Sequence, residues 1–263
     1  MKILLALAIV WATPNNGSTQ VVGLREGPAF HIAASENLQT GALPALSTDA
    51  WREVIQNQGS SSLEAFFAFF PCGSGADVTI YDTLLAYGVD KSILPSGSVE
   101  ISAGDPSKCS GGVQAAIFSD DHAEGNPEAL KQLYERRKGL YAGLDDSIKL
   151  LDAIVANQQK SADVIDILNS RLVESRKIQT PTSVGYGTGC IVARNTLQSA
   201  NGRLHVPSDD TPQKLPKPEA LMSQEGISWD QARAKVLSQK LGQWQSALSD
   251  HLQEKSLPGL IRR

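Results

Sequence analysis

Residues 126–178 read NPEALKQLYERRKGLYAGLDDSIKLLDAIVANQQKSADVIDILNSRLVESRKI and carry the strongest periodic signal of the 263-residue chain. Asn126 is a good N-cap, Pro127 suits the first position of a helix, and Glu128 suits the positive end of the helix dipole. From position 130 onward, residues spaced alternately three and four apart run through about six heptads. Nine of these thirteen positions hold Leu or Ile, which predicts a coiled-coil-like seam.

The polar stretch 157–161 interrupts this seam, and a turn there would give two antiparallel helices instead of one. Because the stretch contains neither Gly nor Pro and the phase continues through it, we predict a single amphipathic helix over 127–179, about 75 Å long. We expect its seam to mediate association through Leu133, Leu140, Leu144, Leu151, Ile154, Ile165, Leu168 and Leu172.

After the long helix, the sequence predicts a loop-rich connection and then another helix. Residues 180–218 are rich in Gly and Pro, and we expect a flexible turn at Gly185–Gly189 and then a short helix. Within 219–263, Ser228 can cap a helix with two Trp and several Leu on one face. This C-terminal helix is expected to pack antiparallel to the long helix.

The N-terminus has the order of a secretory signal. A positive start, Met1-Lys2, precedes an apolar run of ten residues that ends before Thr13-Pro14. The run is far shorter than the roughly 20 residues that span a bilayer. We therefore predict a signal peptide at 1–18, a secreted or periplasmic protein, and no integral membrane span after its removal. The alternative is a buried N-terminal strand.

The region between the signal peptide and the long helix predicts a more mixed structure. Residues 19–45 are expected to be extended, and 46–126 to form a small α/β segment. Apolar spacing within the latter predicts helices that begin at Trp51, at Leu63 and at Val78. Alternation predicts two strands, 98–102 and 113–118. The whole chain is therefore expected to be mainly α, of the α+β class.

The three cysteines suggest one disulfide and one free thiol. Cys72 and Cys109 lie in the same mixed segment and are the expected pair in an oxidising compartment. Cys190 would follow a turn at a helix N-terminus, where its thiol could be reactive. The sequence has no zinc spacing, and the acidic turn 120–124 is more typical of a solvated surface than of a cation site. We predict no metal and no cofactor.

The functional expectation follows from the seam and from the lack of a catalytic motif. A net charge of −4 argues against a nucleic-acid partner. We expect an exported, non-enzymatic interaction or assembly protein of the cell envelope or surface, which pairs with itself or with a protein partner. The alternative is an exported hydrolase of cell-wall or similar polymer, in which Glu174, Cys190 and His205 would be the candidates to test.

Overall fold

The protein has an α+β fold in which helices predominate, as the sequence predicts. Seven strands and five helices are present in the described part of the chain. Backbone contacts divide the chain into a strand-built unit and a helical unit. The predicted signal peptide, 1–18, lies outside the described residues. The computed structural model describes residues 38–43, 51–72, 75–85, 92–103, 112–199 and 216–253.

The strand-built unit contains two antiparallel sheets, of order β1-β2-β5 and β4-β3-β6-β7. Side chains from both sheets meet in one apolar core, which includes Ile55, Phe66, Phe70, Ile101 and Phe118. The predicted strands at 98–102 and 113–118 are confirmed as β5 and β6. The strand bounds are β1 (Leu38–Leu43), β2 (Trp51–Asn57), β3 (Leu63–Cys72), β4 (Gly75–Asp82), β5 (Ser98–Ala103), β6 (Gly112–Phe118) and β7 (Ala123–Gly125).

The predicted helix beginning at Leu63 is wrong, because residues 63–72 form the central strand β3. The pairing of β3 with β6 shifts register between Leu63 and Ala65, so a β-bulge brings Leu63 into the same core as Phe66. An apolar spacing of three, which is typical of a helix, here arises from a strand with one extra residue. Phe67 is also buried, and a strand buried on both faces has no clean alternation.

The two other helices predicted in this segment are wrong as well. Trp51 begins strand β2, and Val78 lies within strand β4. Both strands are rich in β-branched residues, which favour a pleated surface over a short isolated helix. Pairing with neighbouring strands stabilises the strand conformation, since β2 pairs with two strands and β4 pairs along its length with β3.

Asn57 holds the loops at one end of the strand-built unit. Its side-chain amide is buried and donates to the carbonyl oxygens of Ser61, at 2.9 Å, and Ile93, at 2.8 Å. Its side-chain oxygen accepts from the backbone N–H of Gly59, at 2.9 Å. One polar side chain therefore forms hydrogen bonds with three backbone groups, two in the connection between β2 and β3 and one in the segment before β5.

The prediction of one helix over 127–179 is wrong, since the chain turns back after Val155. The turn is made by Asn157, whose φ of 56° is left-handed, and the N–H groups of Gln158 and Gln159 both donate to the carbonyl of Ala153. Asn adopts this conformation more readily than most residues, so the helix ends without Gly. The helix bounds are α1 (Pro127–Val155), α2 (Ser161–Ile178), α3 (Pro181–Gln198), α4 (Pro218–Glu225) and α5 (Trp229–Ser249).

Most of the predicted seam residues are buried although the chain turns at Asn157. Because α2 runs back along α1, both halves of the repeat face one core, and the coiled-coil packing of a long helix is not confirmed. Ile165 is partly buried against this core, and Leu133 is fully buried. The seam residues that belong to the core itself are Leu140, Leu144, Leu151, Ile154, Leu168 and Leu172.

The predicted flexible turn at Gly185–Gly189 is wrong, because these residues lie within α3. A Cβ atom at Gly185 would overlap the carbonyl oxygen of Arg136, and one at Gly139 would overlap the carbonyl oxygen of Thr182. A Cβ at Gly189 would lie 2.7 Å from the backbone of Gly143. The two helices therefore run parallel with their backbones in direct contact, as in GxxxG pairs of membrane helices. Thr180 begins α3 with a capping box.

The predicted C-terminal helix is confirmed as α5, and Ser228 caps it by accepting from the N–H of Gln231. It ends at Ser249, earlier than the expected stop at Pro258, which lies outside the described residues. The Trp244 indole is buried and donates to the carbonyl of Leu84 at 2.6 Å. Helix α5 runs antiparallel to α1, as predicted, since Gln231 contacts Val155 and His251 contacts Arg137.

Candidate association surface on helices α2 and α3

An open groove lies between the C-terminal half of α2 and the first turns of α3. Its volume is about 690 Å³, and most of its lining is apolar. Val173 and Ile178 of α2 form part of its wall and are 52% and 64% exposed. Apolar side chains this exposed next to a concave surface are typical of a binding surface.

The groove exists because α2 ends where α3 begins. Gln179 takes a left-handed φ of 54°, and Thr180 then caps α3. Two lining residues at the start of α3 are fixed by hydrogen bonds, since Ser183 donates to the carbonyl of Thr180 and Thr182 donates to the carboxylate of Glu135 at 2.8 Å. The groove is therefore bounded by two capped helix ends.

A charged network from three helices adjoins the groove. The carboxylate of Asp146 in α1 accepts from the Tyr186 phenol at 2.7 Å and lies 2.9 Å from the guanidinium of Arg171 in α2. Burial and the hydrogen bond to Asp146 raise the pKa of the Tyr186 phenol above its ordinary range. Tyr186 therefore remains a neutral hydrogen-bond donor at physiological pH.

Cys190 lies one helical turn beyond Tyr186 and is fully buried as a free thiol. Burial raises the pKa of the Cys190 thiol, although hydrogen bonding with Ser147 and Tyr186 acts in the opposite direction. The nucleophilic form of a cysteine is the thiolate, which this environment disfavours. The position also lies inside α3 rather than at its N-terminus, so the physical basis of the expected reactivity is missing.

Glu174 and His205 are the other candidates for hydrolysis. Glu174 is exposed on α2 and makes an ion pair with Lys177 at 2.6 Å. His205 lies outside the described residues. An exposed carboxylate in an ion pair and a buried thiol do not by themselves form an activated nucleophile.

The predicted disulfide stays a prediction. Cys109 lies outside the described residues, and Cys72 is described only by its place at the end of β3. The sequence signal for this pair is their shared segment.

The acidic turn 120–124 joins strands β6 and β7. The Asp120 carboxylate accepts from the Ser61 hydroxyl at 2.7 Å, which lowers the pKa of Asp120, and His122 lies 3.3 Å from Glu124. Across the described ranges, no cluster of three or more His, Cys, Asp or Glu residues has a geometry suited to a metal ion. The carboxylates and the imidazole of this turn serve local contacts.

Comparison of the chain with protein-family models, with curated proteins and with solved structures finds no match. In the described part of the chain, no helix combines the length and the apolar character needed to cross a bilayer. The sequence analysis missed the groove, because its walls meet only after the turn at Asn157 folds α2 back and Gly185 admits α3 against α1. The one local signal was an apolar residue, Ile178, near the end of the predicted helix and two residues before Thr180.

Proposed function

We propose that the protein is an exported, non-enzymatic interaction or assembly protein of the cell envelope or surface. The observation that carries this proposal is the apolar groove between α2 and α3, where Val173 and Ile178 remain more than half exposed. Full burial of a large apolar side chain contributes about 1.5–3 kcal/mol, and because these two are already partly buried, an interface would gain about half of that from each. This is enough to anchor a partner when the surrounding contacts exclude water.

The proposed association surface differs from the one that the sequence suggested. Leu140, Leu144 and Leu168 of the seam are fully buried, so a partner could reach them only after the helical unit opened. Opening such a core costs a large part of the folding free energy. The exposed side of α2 and the start of α3 offer apolar contacts without that cost.

Export is the second part of the proposal and depends on residues 1–18. A short positive start and an apolar run of ten residues support a cleavable signal. Intact-mass measurement on protein exported from cells by its own N-terminus tests it. Loss of the first 12 to 20 residues supports export, and a full-length mass with three alkylated thiols contradicts both the signal and the disulfide.

Site-specific photo-cross-linking tests the association surface. A photoreactive side chain at Val173 or Ile178 should give discrete higher-mass adducts in cells that export the protein. Gln239 is exposed on α5, away from the groove, and provides the matched control position. Equal labelling at Gln239 and at the groove positions, or no adduct at either groove position, would refute the proposed surface.

A further inference from the structure

We infer that the outward face of α2 is a self-association surface, on which α2 of a second copy lies antiparallel. This inference deepens the proposed function and rests on it. At 100° per residue, the side of α2 opposite its buried residues Val164, Leu168 and Leu172 carries a stripe with spacings of three and four. The residues of this stripe are Asp163, Asp166, Ser170, Val173 and Lys177, and all five are exposed.

The charges of α2 are segregated along its length. Asp163 and Asp166 lie in the N-terminal half and make no ion pair with any described residue. Arg176 and Lys177 lie in the last turn, and Lys177 pairs with the exposed Glu174. A parallel pair of α2 helices would place like charges together, whereas an antiparallel pair places the acidic end of each copy on the basic end of the other.

One register of the antiparallel pair matches four of the five stripe residues and leaves Asp163 beyond the end of the other α2 helix. With Asp166 of each copy opposite Lys177 of the other, Ser170 of each copy comes opposite Val173 of the other. The two ionic layers then lie at the ends and the two Ser–Val layers lie at the centre. Ser170 is small enough to admit Val173 of the second copy, and both residues line the groove, so the pair would cover its edge.

The size of this surface makes the dimer weak. The 18 residues of α2 extend about 27 Å, and a strip of this length and about 10 Å width covers a few hundred Å². Stable protein interfaces bury about 800 Å² on each partner. The pair should therefore form reversibly, at high local concentration, and should weaken with added salt because exposed charges guide it.

Sedimentation equilibrium of the full chain tests the pairing and its register. The single variants Asp166→Lys and Lys177→Glu each replace two attractions per dimer with two repulsions. Each should weaken self-association about tenfold, because two exposed ion pairs are lost and two repulsions take their place. A mixture of the two single variants should associate again, because each supplies the charge that the other lacks. The double variant should also associate at the wild-type level.

Lys131→Glu provides the matched control. Lys131 also forms an exposed i,i+3 pair, with Glu128, but it lies on α1, so its reversal should leave self-association unchanged. The inference is overturned if the wild-type chain stays monomeric at millimolar concentration, or if the dimer persists in both single variants, or if their mixture does not associate. Cross-links from Val173 to other proteins would in that case still support the proposed function, so the two failures are distinguishable.

Discussion

Because α1 and α3 touch through their backbones, even a methyl group added at the contact should destabilise the protein. In Gly139→Ala, the new methyl group would meet the backbone carbonyl of Thr182, and in Gly185→Ala it would meet that of Arg136. A backbone atom cannot rotate away as the end of a flexible side chain can. The helices must therefore separate, and the loss of packing spreads to the buried residues that bridge them, such as Ser147 and Cys190.

The magnitude follows from two opposing terms. Overpacking costs about 1–3 kcal/mol, with backbone obstacles at or beyond the upper end, while replacing Gly by Ala within a helix returns about 1 kcal/mol. The expected net loss is about 2 kcal/mol for each substitution, which lowers the melting temperature by about 4–8 °C. The double variant Gly139→Ala/Gly185→Ala should lose less than the sum, because the first methyl group has already separated the helices.

Gly242 in α5 is the matched control, since a Cβ atom there would have nothing within 4 Å. Gly242→Ala should raise the stability by up to about 1 kcal/mol through helix propensity alone. Thermal unfolding followed by far-UV circular dichroism measures all variants. If Gly139→Ala were as stable as Gly242→Ala, the close approach of α1 and α3 would be refuted.

Four further outcomes are expected. Arg233 donates to the carbonyls of Thr196 and Ser199 at the C-terminus of α3, so denaturant unfolding of Arg233→Met should show a loss of about 1–3 kcal/mol. Asn57→Ala removes the hydrogen bonds of its side chain with Ser61, Ile93 and Gly59 and should cost about 1–3 kcal/mol in the same assay. The Tyr186 phenol has a folded-state pKa above its ordinary 10.0, so its contribution to stability is present below that pH and is lost as the pH rises further. Melting temperatures between pH 8 and pH 11 should accordingly fall less in Tyr186→Phe than in the wild type. The Cys190 thiol should react with a chromogenic disulfide only as fast as the helical unit opens, and rapid reaction in the native state would contradict its burial.

Local signals predicted the starts of α1 and α5. Asn126 accepts from the N–H groups of Glu128 and Ala129, and Ser228 forms a capping box with Gln231, both as their residue types suggest. These contacts involve residues within three positions of each other, so the sequence alone contains them. The start of α3 has the same character, because Thr180 precedes Pro181.

The strands of the first unit were harder to predict because their signal depends on distant neighbours. A bulge in β3 gave Leu63 and Phe66 a helical spacing, and burial on both faces removed the alternation that identifies a strand. Nothing within the segment shows that β3 will lie between β4 and β6. The pairing partner in β6 is about fifty residues away, where only the tertiary fold brings it into register.

The glycines of α3 were misread for a related reason. In a single sequence, Gly185 and Gly189 indicate flexibility. The matching pair in α1, Gly139 and Gly143, gives no distinct signal because the residues around it are good helix formers. Their spacing of four residues on both helices was the available signal for a close backbone contact. Gly within a helix costs stability, and it is retained here where any side chain would force the helices apart.

The turn at Asn157 determines which surface is left for a partner. If residues 127–178 formed one helix, the seam would lie open along its length, and Leu140 and Leu168 would need a second chain to cover them. Because the chain turns back, its two halves bury most of the seam between them, and the stripe on the opposite side of α2 remains exposed. A variant that removes the left-handed residue, Asn157→Ile, should penalise the turn, since a β-branched residue tolerates this conformation poorly. Loss of stability with an increase in seam-dependent oligomers would show that the turn, rather than the heptad repeat, keeps the helical unit closed.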